Sequence, residues 1–154
     1  YAMPGVDFDA ALLPELFANL SFRIGSYGDP AAIPAKVWRT ATRKVRNRTG
    51  YTHQWRKRIG AGLKGLCMAS ADNPADVVDA MAKGWRTFRV RKHDAPKLKD
   101  ESICPASKEG GQRTQCDTCG LCQGATIAAR NIVIADHGLM DSRRRIPTTP
   151  AAVL

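Results

Sequence analysis

The sequence has few aromatic and acidic residues, only three histidines, and no long apolar run. Phe, Trp and Tyr make up 6% of the 154 residues, so a core must rest mainly on Ala, Val, Leu and Ile. No apolar run approaches the roughly 20 residues that cross a bilayer, which argues against a membrane partner. No charged and then apolar leader is seen either, and we therefore expect a cytoplasmic protein.

Common catalytic motifs are also missing. The chain has neither a G-x-x-x-x-G-K-[ST] nor a G-x-G-x-x-G phosphate-binding loop, and it has no G-x-S-x-G nucleophile elbow. The histidines form no His-x-His pair of the kind that a replication nickase uses to hold its metal. The motifs therefore leave open whether the protein is an enzyme.

Basic residues outnumber acidic ones, with 24 Lys and Arg against 14 Asp and Glu and a net charge of +10. This balance favours a polyanionic partner, of which nucleic acid is the usual one, although the same charges could serve solubility alone. The candidate contacts to a phosphate backbone are basic side chains from two short runs. They are Arg56, Lys57, Arg58, Arg89 and Arg91.

Four of the five cysteines lie close together toward the C-terminal end, and only Cys67 stands apart. A secreted disulfide framework would distribute its bridges along the chain, whereas here most of the chain would be left without one. A metal site in a reducing, cytoplasmic setting fits this distribution better. We expect Cys67 to be a small buried side chain in a strand.

The spacing of the other cysteines is typical of a metal or cluster site. Cys116, Cys119 and Cys122 form two C-x-x-C steps that share the middle residue, and Cys104 lies upstream, followed by Pro105. Structural zinc usually takes two separate C-x-x-C knuckles. Three closely spaced cysteines plus a remote one next to proline are more typical of ferredoxin clusters, although here the Pro-linked cysteine comes first. We predict that these four bind a [4Fe–4S] cluster or Zn²⁺, with the cluster favoured.

Apolar periodicity predicts an α/β protein with a mostly parallel sheet, either open or a partial barrel. Strand patterns lie at 21–25, 51–55, 66–69, 85–91 and 131–135. Helical patterns lie at 7–20, 34–46, 74–83 and 123–130. Residues 92–103 are polar and predict a surface loop. We expect one domain over residues 1–138, which includes the metal loop at 104–122, and a flexible, basic, Pro-containing tail at 139–154.

Unusual polar residues follow several of the predicted strands. Because the carboxyl ends of parallel strands meet at one edge of a sheet, we expect Asp29, His53 and His137 to lie near one another there. These three are the candidate catalytic residues. Ordinary structural or solvated roles are the alternative for each of them.

Six stretches carry a resemblance to a known family. They are IGSYGDPAAIP (24–34), TGYTHQWR (49–56), MASADNPAD (68–76), GWRTFRVR (84–91), CPASKEGGQRTQCDTCGLC (104–122) and NIVIADHG (131–138). Together they resemble a family of proteins carried by bacteriophages, plasmids and some bacterial chromosomes, some labelled as similar to rolling-circle replication initiators. Longer members have an upstream region with further cysteines. The resemblance implies a mobile-element setting and a DNA or RNA transaction.

Three functions follow as expectations. The first is a metal- or iron–sulfur-binding, nucleic-acid-associated protein of a phage or plasmid, with a role related to replication. The second is an iron–sulfur enzyme or electron-transfer protein on a partial-barrel scaffold, with His53, Asp29 and His137 near the cluster. The third is a structural or interaction subunit whose fold zinc holds together.

Overall fold

The structure is a computed structural model, and it describes residues 9–136. His137 and the tail expected at 139–154 lie outside the described residues. None of the helices between residues 9 and 136 is long and apolar enough to span a bilayer.

A six-stranded sheet forms the centre of the described chain, and all of its strand pairs are parallel. Its strands are β1 (Ser21–Ile24), β2 (Asn47–Thr52), β3 (Met68–Ala71), β4 (Thr87–Arg91), β5 (Glu101–Ile103) and β6 (Asn131–Ala135). The strand order is β1-β2-β3-β4-β6-β5, so β1 and β5 are the two edges. The α/β class with a parallel sheet is therefore confirmed, and the sheet is open.

Four short α-helices connect or cover these strands. They are α1 (Leu13–Leu16), α2 (Ala35–Ala41), α3 (Pro74–Ala82) and α4 (Cys116–Cys119). Helix α3 begins as its sequence predicts, because the Asn73 side chain accepts a hydrogen bond from the Asp76 N–H at 3.0 Å and Pro74 opens the first turn. It ends before Gly84, whose φ of 74° favours glycine.

The strand predicted at 51–55 is shifted in the structure, where β2 begins at Asn47 and ends at Thr52. The Asp29 carboxylate ends it. Thr52 Oγ1 donates to Asp29 Oδ1 at 2.7 Å, and the His53 N–H donates to Oδ2 at 2.8 Å. These bonds turn the chain away from the sheet, and a short 3₁₀ helix at Gln54–Arg56 follows.

The loop predicted at 92–103 contains an unexpected edge strand, β5, which pairs with β6. Its first residue, Glu101, is fully buried and receives two hydrogen bonds from Arg89 on β4, each of 2.7 Å. Glu101 Oε2 also accepts the Leu98 N–H at 2.7 Å. A buried ion pair thus fixes a strand that an apolar pattern does not reveal.

The two faces of the sheet carry two separate apolar clusters, because side chains alternate along each strand. One cluster lies under the helices and includes Ile24, Ala69 and Trp85. The other lies on the opposite face, where Met68 and Ile132 pack with Cys122, Tyr51, Phe88, Cys104 and Leu121. The cysteine segment is therefore the cover of one face of the sheet.

Candidate metal centre and adjoining groove

The first of the four candidate ligands, Cys104, directly follows β5. Its N–H donates to the Val133 carbonyl at 2.9 Å, which extends the pairing with β6 by one residue. Ser107 Oγ donates to the Cys104 carbonyl at 2.7 Å and accepts the Gly110 N–H at 3.0 Å, so a tight turn fixes the cysteine backbone. A Cβ at Gly110 would lie 2.1 Å from the Cys104 oxygen, which means that only glycine fits there.

Helix α4 supplies Cys116 and Cys119 and is held against the amino ends of β1 and β2. The Asp117 carbonyl accepts hydrogen bonds from Ser21 Oγ and Asn47 Nδ2, both at 2.6 Å. Helix α4 therefore lies near the amino ends of these strands. The sequence predicts that the unusual polar residues gather at the opposite edge, where the strands have their carboxyl ends.

All four cysteines line one small cavity between the loop and the sheet. Its other walls include Thr49, Tyr51, Pro105, Leu121 and Ile132, and they are mainly apolar. In the described part of the chain, no set of three or more His, Cys, Asp or Glu side chains is placed as a metal-holding group. The structure therefore brings the four predicted ligands to one cavity, and metal binding by them stays a prediction.

Burial and the proximity of the other cysteines raise the pKa of two of these thiols, those of Cys116 and Cys122. Burial raises the pKa of Cys122 to about 11, opposed by a hydrogen bond from Tyr51 that lowers it. Burial also raises the pKa of Cys116, and the neighbouring Cys104 and Cys119 raise it further. Burial, followed by the proximity of Cys122, raises the pKa of Tyr51. A thiophilic metal would release the protons, as thiolate ligation requires.

Arg86 organises the segment that carries Cys122. No pattern in the sequence indicates this role, yet its side chain is buried and its guanidinium donates to four backbone carbonyls. The acceptors are Leu121, Gly124, Ala129 and Arg130. Three of these carbonyls belong to a segment predicted as a helix at 123–130, which the structure shows as turns, bends and irregular chain.

A groove of about 550 Å³ adjoins the cysteine cavity on the same face of the sheet. Cys104 and Cys116 line both spaces. The groove extends to the carboxyl ends of β1, β2 and β3, where Asp29, His53 and Asp72 form part of its wall. This edge collects the polar residues that parallel-strand topology predicts.

Two of the three catalytic candidates thus lie in the groove, in different roles. The Asp29 carboxylate is occupied, since it accepts from Thr52, His53 and the Ala31 N–H at 2.9 Å. His53 is exposed, and its Nε2 lies 3.4 Å from Asp72 Oδ1. His53 is therefore the candidate that can exchange a proton with a bound ligand. The third candidate, His137, lies outside the described residues.

The expected nucleic-acid contacts are corrected at several positions. Arg89 is 3% exposed and bonded to Glu101, so it belongs to the core and not to a phosphate-binding surface. Arg91 is also buried and pairs with Glu109. Arg56 pairs with two carboxylates, those of Asp76 at 2.6 Å and Asp79 at 3.0 Å.

The remaining two members of that set, Lys57 and Arg58, are exposed. Neither forms an ion pair within residues 9–136. The sequence alone does not distinguish Lys57 and Arg58 from the paired arginines. The carboxylates that pair with Arg56, Arg89 and Arg91 come from distant positions in the chain.

Comparison of the chain with known protein families, with curated proteins and with solved structures gives no match.

Proposed function

We propose that this chain is an iron–sulfur protein in which a cluster held by Cys104, Cys116, Cys119 and Cys122 faces a ligand groove. In this reading it is an enzyme or an electron-transfer protein. The observation that carries the proposal is that all four cysteines line one cavity, and that two of them also line the groove.

The chemistry of the donor set fits such a centre. Four cysteine thiols suit iron–sulfur clusters and zinc, and the spacing of Cys116, Cys119 and Cys122 is close to that of cluster proteins. The apolar walls formed by Leu121 and Ile132 limit access of water, which is one of the factors that set a cluster's potential. A bound cluster would supply one-electron transfer at this position.

The protein's own residues would position a reactant next to that centre. Cys104 and Cys116 line both the cavity and the groove, so a molecule in the groove would lie beside two of the proposed ligands. His53 also lines the groove, and an imidazole can hold or move a proton. Asp29 fixes the His53 backbone through the 2.8 Å bond to its N–H.

Cluster loading under anaerobic conditions tests this proposal. After reconstitution with iron and sulfide, the protein should show the broad visible absorbance of a thiolate-bound cluster. Cys104→Ala and Cys122→Ala should lose most of that absorbance. Cys67→Ala is the matched control and should keep it, because Cys67 is buried in the apolar cluster on the helix side of the sheet. Absorbance that is equal in all three variants would overturn the proposal.

A second candidate function is association with nucleic acid. It is favoured by the net charge of +10 and by the exposed charges of Lys57 and Arg58, which have no ion-pair partner within residues 9–136. Binding should weaken steeply with salt, because phosphate contacts release counterions. The Lys57→Glu and Arg58→Glu double variant should lose binding to a mixed-sequence DNA or RNA duplex. Arg56→Gln should have a smaller effect, since Asp76 and Asp79 already neutralise that residue. No binding by the unaltered protein at low salt would refute this candidate.

A further inference from the structure

The groove beside the cysteine cavity carries an arginine, Arg23, that has no acidic partner among residues 9–136. We infer that this groove binds a small organic anion with a flat apolar body, and that Arg23 holds the anionic group. The inference rests on the proposed function in one respect, because it names the class of ligand that would lie beside the proposed centre.

The charge of Arg23 is available to a ligand. Arg23 lies on β1 with its side chain exposed, and its guanidinium carbon is 5.6 Å from the centre of the Tyr51 ring. Within residues 9–136 it forms no ion pair with a carboxylate, unlike Arg56, Arg89 and Arg91. A guanidinium offers paired N–H donors that match a carboxylate or a phosphate.

The two acidic residues of the groove, Asp29 and Asp72, already have polar neighbours, unlike the guanidinium of Arg23. Asp29 accepts from three donors, as described above. Asp72 is exposed, and its Oδ1 lies 3.4 Å from His53 Nε2. Arg23 is therefore the charged side chain of the groove wall that has no hydrogen-bonded or ion-paired partner among residues 9–136.

The floor of the groove suits a flat apolar group. The Tyr51 and Phe88 rings lie with their centres 4.4 Å apart, and Val90 on β4 and Ile134 on β6 also line the groove. Val90 is 47% exposed although it belongs to a central strand. The volume of about 550 Å³ is within the range of small-molecule sites.

Titration of simple probes tests the inference. Phenyl phosphate and phenylacetate should bind, whereas benzylamine and inorganic phosphate should bind far more weakly, because each lacks one of the two features. Arg23→Gln should weaken phenyl phosphate binding about tenfold or more, as expected for a lost charge-assisted hydrogen bond. Arg43→Gln, which removes an exposed arginine outside the groove, is the matched control and should leave binding unchanged.

A second variant tests the contribution of the ligand's apolar body separately from that of its charge. Val90→Trp should fill the groove floor and abolish binding of both aromatic anions, while urea unfolding confirms that the variant is folded. Failure of phenyl phosphate to bind, or equal binding by the Arg23 and Arg43 variants, would overturn the inference.

The cluster absorbance is recorded on the same samples, so that the two proposals can fail separately. A normal cluster without probe binding would overturn the ligand assignment alone. Arg23-dependent probe binding in a protein that never takes up a cluster would overturn the proposed function and leave the groove as a ligand site.

Discussion

Replacing Glu101 with Gln should destabilise the protein by about 3–5 kcal/mol, because it leaves the buried Arg89 without its counter-charge. Glu101 is fully buried and the Arg89 side chain is 4% exposed. Two hydrogen bonds of 2.7 Å join them, from Arg89 Nε to Oε1 and from Nη2 to Oε2. These bonds raise the pKa of Arg89, so the guanidinium cannot escape its burial by losing a proton.

Urea unfolding followed by circular dichroism measures this loss. For a domain of this size, about 1 kcal/mol corresponds to roughly 2–4 °C in Tm, so thermal scans should show a fall of about 6–20 °C. The matched control is Glu15→Gln, which removes an exposed pair with Lys44 and should change stability by less than about 1 kcal/mol.

A double variant shows whether the loss comes from the unpaired charge. Arg89→Met combined with Glu101→Leu removes both charges and should be less destabilised than Glu101→Gln alone. If Glu101→Gln is no more destabilising than Glu15→Gln, the account of β5 as a strand held by a buried ion pair is wrong.

Three further predictions concern Arg86, Cys67 and Asp76. Arg86→Met should reduce cluster loading and speed proteolysis within residues 121–130, because four backbone carbonyls lose their hydrogen-bond donor. Unchanged cluster loading together with an unchanged proteolysis rate would contradict the role assigned to Arg86. Burial raises the pKa of Cys67 to about 12. The stability that its neutral thiol contributes should therefore be lost as pH rises from about 9 to 12. In urea unfolding measured across this pH range, Cys67→Ala should show a smaller decline in stability. The hydrogen bond from Arg56 lowers the pKa of Asp76, so the stability that the Asp76 carboxylate contributes should be lost as pH falls below about 4. Asp76→Asn should lose less stability over the same pH range. Equal losses in the two proteins would refute this prediction.

The parts of the fold that the sequence predicts well are those whose signals are local. Helix α3 has a capping Asn73, a first-turn proline and a terminal Gly84, and the structure places it between them. Strand β6 occupies the predicted residues 131–135, because a continuous apolar run in a parallel sheet interior is distinctive.

The parts that it misses depend on partners far away in the chain. Strand β5 is short and polar, and its burial requires Arg89, which lies on another strand. The basic residues look equivalent in the sequence. In the structure, Arg86 donates hydrogen bonds to backbone carbonyls, whereas Arg89 pairs with the buried carboxylate of Glu101. No local pattern distinguishes a solvated arginine from one that is paired in the fold.

The candidate site was predictable in its cysteines and less so in its surroundings. The spacing of the four cysteines indicated that they meet, and the structure places all of them around one cavity. The position of that cavity on a face of the sheet, together with the place of Arg23 in the adjoining groove, depends on strand order and register. A single sequence does not supply these.

The metal content of the protein prepared without oxygen tests the central claim most directly. We predict about four iron and four sulfide ions per chain, as a cubane cluster requires, with zinc at trace level. The same measurement on Cys67→Ala should give the same values, and on Cys122→Ala it should give far less iron. About one zinc ion per chain without sulfide, or no bound metal at all, would contradict the account of this protein as an iron–sulfur protein.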